Sequence, residues 1–165
     1  MSAPSPDDAV TASTTVAVDP ATAFDVFTQE VDAWWKQGPR FRTGAPGAST
    51  LHFEPRAGGR LLERFDDDER AEPFVLARIT AWQPPERLLL EMFGRDFGPN
   101  DKTEVEILFE PFDTGTRVTI EHRGWDAFAA DHPVRHGLVG DAFAAMMGLF
   151  WGDLLVALGD RSRER

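Results

Sequence analysis

Residues 102–123 read KTEVEILFEPFDTGTRVTIEHR, and apolar side chains recur at every second position on both sides of a central turn. Alternation of this length is typical of strands with one core face and one wet face. The Asp113-Thr114-Gly115 turn is short enough to join the two runs as an antiparallel hairpin. The side chains that we expect on the core face are Val105, Ile107, Phe109, Val118 and Ile120.

Similar short runs precede this hairpin, at intervals that predict an antiparallel meander. The predicted strands cover residues 10–18, 50–54, 60–65, 74–82, 87–93, 102–110 and 116–123. Two short helices, at 20–30 and 31–35, follow the first strand, with Asp19 as N-cap and Pro20 as first helical residue. A long helix at 137–159 is the natural cover for the core face of the sheet. Its inner face would carry Ala144, Met147, Gly148, Trp151, Leu155 and Leu158.

The length of 165 residues fits one domain. We expect a disordered polar leader over residues 1–9, a single domain over residues 10–160 and a tail over residues 161–165. The chain has no cysteine, which excludes disulfides, thiolate metal sites and a cysteine nucleophile.

Charge and hydropathy exclude some partners. The net charge of −11 argues against nucleic acid or an anionic membrane surface as the main partner, because each needs a basic face. The N-terminus lacks a secretory pattern. Residues 137–159 are long enough to span a bilayer, but Asp141 and Asp153 would be costly there. We therefore expect a core helix, no membrane insertion and a cytoplasmic protein.

Several phrases, taken in order, resemble one known family. They are Asp19-Pro20, Trp34-Trp35, the PRAGGR turn at 55–60, WQPPERL at 82–88 and GTRVTIEHRGW at 115–125. Together they resemble the SRPBCC or START-like superfamily (Bet v 1-like), in the branch of the homologues of the 90-kDa heat-shock protein ATPase activator. The resemblance implies an α+β helix-grip fold, in which a curved antiparallel sheet of about seven strands holds a long C-terminal helix across its concave face.

The same resemblance implies an apolar cavity between sheet and helix, in which many family members bind hydrophobic small molecules. The aromatic and methionine side chains that would line it also suit an ordinary filled core. The candidate cavity residues are Trp34, Trp35, Phe41, Phe53, Phe65, Phe93, Phe109, His122, Trp125, Met147, Phe150 and Trp151. The Gly- and Pro-rich loop at 38–49 should lie at one end of the cleft, with Arg40 and Arg42 at the cavity mouth. Two arginines there would favour a ligand with a carboxylate, although pairing with surface acids is the alternative.

His122 lies on the apolar face of its predicted strand. It is either a general acid/base or ligand anchor, or a structural histidine bonded within the core. His132 and His136 have the spacing of a metal pair, but Pro133 separates them, and we expect no metal and no cofactor. The acidic run at 66–69 and the strand glutamates Glu104, Glu106 and Glu110 are better explained as solvated charge than as glycosidase carboxylates.

Three functions therefore remain. The first is a small binding protein that holds a hydrophobic or aromatic molecule, which needs only an apolar cavity and a few polar anchors. The second is a cyclase- or aromatase-like enzyme that uses His122. The third is a chaperone-associated interaction protein, which needs an exposed patch. A homodimer is a further expected assembly.

Overall fold

The computed structural model describes residues 8–66 and 71–165. The chain forms a curled, seven-stranded antiparallel sheet with two short helices and a long C-terminal helix. The elements are β1 (Ala9–Val16), α1 (Pro20–Gln29), α2 (Val31–Trp34), β2 (Ser49–Phe53), β3 (Arg60–Phe65), β4 (Phe74–Gln83), β5 (Arg87–Met92), β6 (Thr103–Phe112), β7 (Gly115–Arg123) and α3 (Gly140–Ser162). Two 3-10 turns, Trp125–Ala127 and Pro133–Arg135, lie between β7 and α3. This is the α+β helix-grip fold that the sequence predicts.

The strand order is β1-β7-β6-β5-β4-β3-β2, and every neighbouring pair is antiparallel. β6 and β7 form the expected hairpin, with Ile107 opposite Ile120 and Phe109 opposite Val118. The five side chains expected on the core face are 0–1% exposed. On the other face, Arg123 binds Glu104 at 2.7 Å and Arg87 binds Glu106 at 2.6 Å. The predicted register is therefore confirmed, since a slip of one residue would have buried the glutamates.

α1 begins as the sequence predicts. The Asp19 carboxylate accepts a 2.8 Å hydrogen bond from the Thr22 backbone N–H, and Pro20 is the first helical residue. The buried face of α1 includes Phe24 and Phe27, which pack on Phe109 of β6. α1 therefore covers one part of the concave face of the sheet.

α3 begins three residues later than expected. His136 and Gly137 have φ of 49° and 77°, and this left-handed backbone cannot continue a right-handed helix. α3 ends at Ser162, inside the predicted tail, where Arg161 binds Glu30 of the α1–α2 junction at 2.8 Å. Its buried face includes Phe143 and Leu154, which the helical projection missed, whereas Ala144, Met147 and Gly148 are only half-buried.

The N-terminal prediction differs slightly from the structure. Residues 1–7 of the predicted leader lie outside the described residues, but the Asp8 carbonyl accepts a hydrogen bond from the Gly124 N–H, and β1 begins at Ala9. Residues 67–69 of the acidic run also lie outside the described residues.

By length and composition, α3 is the one described helix that could span a membrane. In the structure it lies against β1, α1 and α2, with Trp151, Leu155 and Leu158 each no more than 2% exposed. These contacts bury one face of α3 against the rest of the fold.

Candidate functional site

A pocket of about 510 Å³ lies between the sheet, the N-terminal half of α3, the β7–α3 connection and two loops. One loop joins α2 to β2 and contributes residues 39–43, and the other follows β5 and contributes residues 93–97. Beneath them, the floor comes from β3, β4, β5 and β7, through Glu63, Leu76, Met92 and His122 among others. The pocket therefore occupies the part of the concave face that α1 leaves uncovered.

Aromatic rings form the apolar wall of the pocket. Phe41 of the α2–β2 loop stacks on Phe150 of α3, with ring centroids 5.3 Å apart and planes at 24°. Trp35 meets the same Phe150 ring at 6.5 Å in an edge-on arrangement. Because Phe41 is part of a loop, the wall joins an irregular segment to the rigid helix.

Seven of the twelve candidate cavity residues line this pocket. They are Trp35, Phe41, Phe93, His122, Trp125, Met147 and Phe150. The other five do not: they are Trp34, Phe53, Phe65, Phe109 and Trp151.

Contacts with α1 explain where three of the other residues lie. Phe53 and Phe109 pack on Phe27 of α1, in the filled part of the core. The Trp34 indole N–H donates to the Val26 and Phe27 carbonyls of α1. Phe65 is half-buried at the end of β3, outside the pocket lining. The aromatic pattern of the sequence does not show how far α1 fills the groove, so it cannot separate Trp34, Phe53 and Phe109 from the pocket residues.

Trp151 lies behind the pocket wall. It is 1% exposed, and its indole N–H donates to His122 Nδ1 at 3.1 Å. Its ring meets Trp35 edge-on at 5.9 Å. Trp151 therefore supports two residues that face the pocket.

Both ring nitrogens of His122 are engaged. Because an indole N–H can only donate, Nδ1 accepts from Trp151, and the neutral ring must carry its hydrogen on Nε2. Nε2 then donates to the Thr103 hydroxyl at 2.6 Å. Burial lowers the pKa of His122 to about 3. The ring is thus neutral and held in one tautomer, and both of its nitrogens are occupied by Trp151 and Thr103.

The two arginines expected at the mouth both line the pocket, but with different environments. Arg40 is exposed, pairs with Asp153 of α3 at 3.3 Å and covers the Phe41 ring. Arg42 has a fully buried side chain that donates to the Asp32 carboxylate at 2.7 Å and to the Trp35 carbonyl at 2.7 Å. Arg42 is consequently a structural centre of the loop, and the expectation that its guanidinium reaches a ligand is not supported by its contacts.

Glu63 lies on the pocket floor, and no arginine in residues 8–66 and 71–165 pairs with its carboxylate. Burial opposes its ionisation, but hydrogen bonds from the adjacent loop outweigh this effect and lower its pKa. Donors include the Thr43 N–H and hydroxyl, at 2.9 and 2.8 Å, and the Gly44 N–H at 2.9 Å. The carboxylate is therefore an anchor for the loop.

Sequence analysis missed several lining residues. They include Phe74, Leu76, Met92, Arg95, Phe97, Val134, His136 and Met146. Phe74, Leu76 and Met92 lie on predicted strands but have half-buried or buried neighbours, so no clear alternation in the sequence marks them. Arg95 and Phe97, in the short Gly-rich segment after β5, gave no signal beyond the prediction of a loop.

His132 and His136 have different contacts and do not form a metal-binding pair. His132 Nε2 lies 3.2 Å from an Asp101 carboxylate oxygen, and its Nδ1 accepts from the Val134 N–H. His136 lines the pocket instead. Within residues 8–66 and 71–165, no three histidine, aspartate or glutamate side chains are grouped to hold a metal ion.

Comparison with known proteins agrees with this architecture. CalC from Micromonospora echinospora, a self-sacrificing resistance protein, is 26% identical, with a TM-score of 0.62 and 96% of each chain covered. Protein MLL2253 from Mesorhizobium loti is 15% identical (TM-score 0.64, covering 94% of this chain and 97% of that one). The Aha1 dimer from Colwellia psychrerythraea is also 15% identical (TM-score 0.61, covering 92% and 93%). No curated protein sequence matches.

The family assignment follows from the sequence match. A family model described as Activator of Hsp90 ATPase homolog 1-like protein matches residues 17–147, from the start of α1 into α3. This range contains the two short helices, six of the seven strands and most pocket residues. The chain belongs to the Activator of Hsp90 ATPase homolog 1-like family, within the SRPBCC fold family.

Proposed function

We propose that this protein is a small cytoplasmic binding protein that holds a hydrophobic or aromatic small molecule in the pocket between sheet and α3. The observation that carries the proposal is a volume of about 510 Å³ beside an otherwise close-packed core. Pockets for small organic ligands commonly measure about 300–1,000 Å³. A fold that needed only stability would gain by filling this space.

The chemistry of the wall supports an aromatic ligand. The stacked pair Phe41 and Phe150 offers ring faces, and Met146 and Met147 offer side chains that adapt to different shapes. From β7 the lining includes neutral His122, both of whose ring nitrogens are already hydrogen-bonded within the core. The similar CalC is a resistance protein; a small-molecule ligand for this chain is our own proposal.

The enzyme alternative is less favoured by the same geometry. A general acid/base needs a nitrogen within reach of the reacting proton and a pKa near the working pH. His122 Nδ1 faces Trp151, Nε2 faces Thr103, and burial lowers the pKa to about 3.

One observation favours an interaction role as a second candidate. Leu149 and Val156, two turns apart on α3, are 66% and 65% exposed. Such a pair on a helix is a small apolar surface of the kind that protein contacts use. Either a second copy of the chain or the 90-kDa heat-shock protein could cover this surface. Analytical ultracentrifugation of the protein alone would detect a homodimer, and a mixture with the 90-kDa heat-shock protein would detect a complex. A monomer that stays unchanged with the chaperone would contradict this second role.

The test of the binding proposal uses N-phenyl-1-naphthylamine, an uncharged probe that fluoresces in apolar surroundings. We expect saturable binding at one site per chain. Met147→Trp places an indole in the pocket and should abolish binding. Leu149→Trp adds the same ring on the exposed face of α3 and is the matched control.

Two further results complete the test. Native mass spectrometry of protein from its own host should reveal a co-purified apolar ligand in the unmodified chain and not in Met147→Trp. Probe binding that survives Met147→Trp with its affinity unchanged would contradict the pocket as the site.

A further inference from the structure

Three arginines line the pocket, and they differ in their partners. Arg40 pairs with Asp153, and Arg42 pairs with Asp32. Arg95, in the β5–β6 loop, is exposed and forms no ion pair with any carboxylate in the described part of the chain. Among the three arginines of the pocket, Arg95 is therefore the one without a carboxylate partner in residues 8–66 and 71–165.

Hydrogen bonds fix the position of the exposed Arg95 side chain at the pocket. Its Nη2 donates to the Pro39 carbonyl at 3.1 Å and to the Arg42 carbonyl at 3.3 Å, across from its own loop. Both acceptors belong to residues that line the pocket. A guanidinium has five N–H donors, so Nη1 and Nε keep donors for a further acceptor.

The other charged groups of the lining have to be weighed against Arg95. The Glu63 carboxylate is occupied by N–H and hydroxyl donors of Thr43 and Gly44. Asp96 follows Arg95 and also lines the pocket, without forming an ion pair with it. Within the described part of the chain, Arg95 is therefore the pocket arginine that has no ion pair, and the neighbouring Asp96 would weaken its attraction for an anion.

From this arrangement we infer that the natural ligand is an amphipathic organic acid. Its apolar ring system would lie against Phe41 and Phe150, and its carboxylate or sulfonate group would accept hydrogen bonds from Arg95. Arg95 is then the residue that selects an acid over a neutral analogue, because a guanidinium matches the planar geometry of a carboxylate. This inference rests on the proposed binding function, to which it adds the ligand class and an anchoring residue.

The test compares two probes with the same ring system. 8-Anilinonaphthalene-1-sulfonate carries a sulfonate, and N-phenyl-1-naphthylamine lacks it. We expect Arg95→Gln to weaken the sulfonate probe by about tenfold at low salt, the range of a charge-assisted hydrogen bond at an exposed site. Affinity for the neutral probe should change less than twofold (about 0.4 kcal/mol by the tenfold-per-1.4 kcal/mol relation). Arg95→Lys keeps the charge and should retain part of the preference.

Three controls separate charge at the pocket from other effects. Arg64→Gln removes an exposed arginine of β3 that does not line the pocket, and it should leave both affinities unchanged. Asp96→Asn should strengthen binding of the sulfonate probe only. The preference should shrink between about 0.01 M and about 1 M salt, because screening acts on exposed charges.

The outcomes distinguish this inference from the proposal beneath it. If neither probe binds the unmodified protein at the pocket, the binding function itself fails. If both bind, but Arg95→Gln weakens them equally or changes neither, the pocket stands and the acid preference is overturned. An equal loss would mean that Arg95 only fastens the two loops.

Discussion

His122 of β7 is a polar side chain buried in the apolar core. His122 accepts from Trp151 and donates to Thr103, so its neutral form is fully hydrogen-bonded. The protonated form would place a second N–H against the Trp151 N–H, at a side chain that is 4% exposed. The native state therefore resists protonation, while the unfolded chain takes up a proton near the usual histidine pKa of about 6.5.

This difference predicts how stability depends on pH. The native pKa of about 3 lies below the unfolded value, so the contribution of His122 is complete above about pH 6.5 and is lost as pH falls toward 3. Through this window, the wild-type free energy of unfolding should fall more steeply than that of His122→Gln, by about 1.4 kcal/mol per pH unit. Urea unfolding at a series of pH values measures both slopes. His52→Gln, at an exposed histidine of β2, should keep the wild-type slope, and an identical slope in His122→Gln would contradict the assignment.

Trp151 carries a prediction of its own. The side chain is 1% exposed and contacts Trp35, Phe150 and His122. Trp151→Ala should lower the free energy of unfolding by about 3–5 kcal/mol, the range for truncating a large buried aromatic residue. Leu149→Ala, on the exposed side of the same helix, should cost no more than about 0.5 kcal/mol in urea denaturation. A loss below about 1 kcal/mol for Trp151→Ala would mean that the ring packs loosely.

At the scale of elements, the α2–β2 loop is irregular but firmly held. The Arg42 guanidinium makes five hydrogen bonds, to the carboxylate and carbonyl of Asp32 and to the carbonyls of Trp35, Lys36 and Ser49. These acceptors span α2, the loop and the start of β2. The Arg42 side chain thus connects α2, the loop and β2 by hydrogen bonds, as backbone hydrogen bonds do in a regular element.

The stability of the fold should therefore depend strongly on the Arg42 side chain and only weakly on the Arg40 side chain. Arg42→Ala leaves buried carbonyls without donors and should cost about 2–4 kcal/mol of unfolding free energy. Arg42→Lys should rescue little, since an ammonium cannot reproduce the planar fork. Arg40→Ala removes a pair whose side chains are 57% and 42% exposed, and should cost less than about 1 kcal/mol. Equal losses at both positions in urea denaturation would refute this division of roles.

These elements also show where sequence reasoning succeeds and where it stops. The alternation of β6 and β7, and the Asp19-Pro20 start of α1, are local patterns, and the structure confirms them. The Arg42 side chain points into the protein because its carbonyl acceptors come together only on folding, and no local sequence pattern predicts this orientation. Arg95 reaches the pocket for the same reason, through carbonyls more than fifty residues away.

At the scale of the whole molecule, the concave face of the sheet is divided between a filled part and an open part. Under α1, Phe24 and Phe27 close on Phe109. Toward the N-terminal half of α3, the pocket begins, and Met147 and Phe150 face it. The aromatic residues of the sequence predict a core in both parts. They do not predict the boundary between the filled part and the pocket, because that boundary depends on where α1 ends and α3 begins.

The open part predicts how a ligand changes the stability of the whole fold. A molecule that binds only the native state at a hundred times its Kd adds about 2.7 kcal/mol. For a chain of this size, each kcal/mol raises the Tm by about 2–4 °C. Saturating 8-anilinonaphthalene-1-sulfonate should therefore raise the Tm, followed by circular dichroism, by about 5–10 °C. Met147→Trp should have an equal or higher Tm without the probe and no shift with it, because the indole occupies the pocket, whereas Leu149→Trp should shift like the unmodified chain. A shift of the same size in Met147→Trp would mean that the stabilising site lies elsewhere on the molecule.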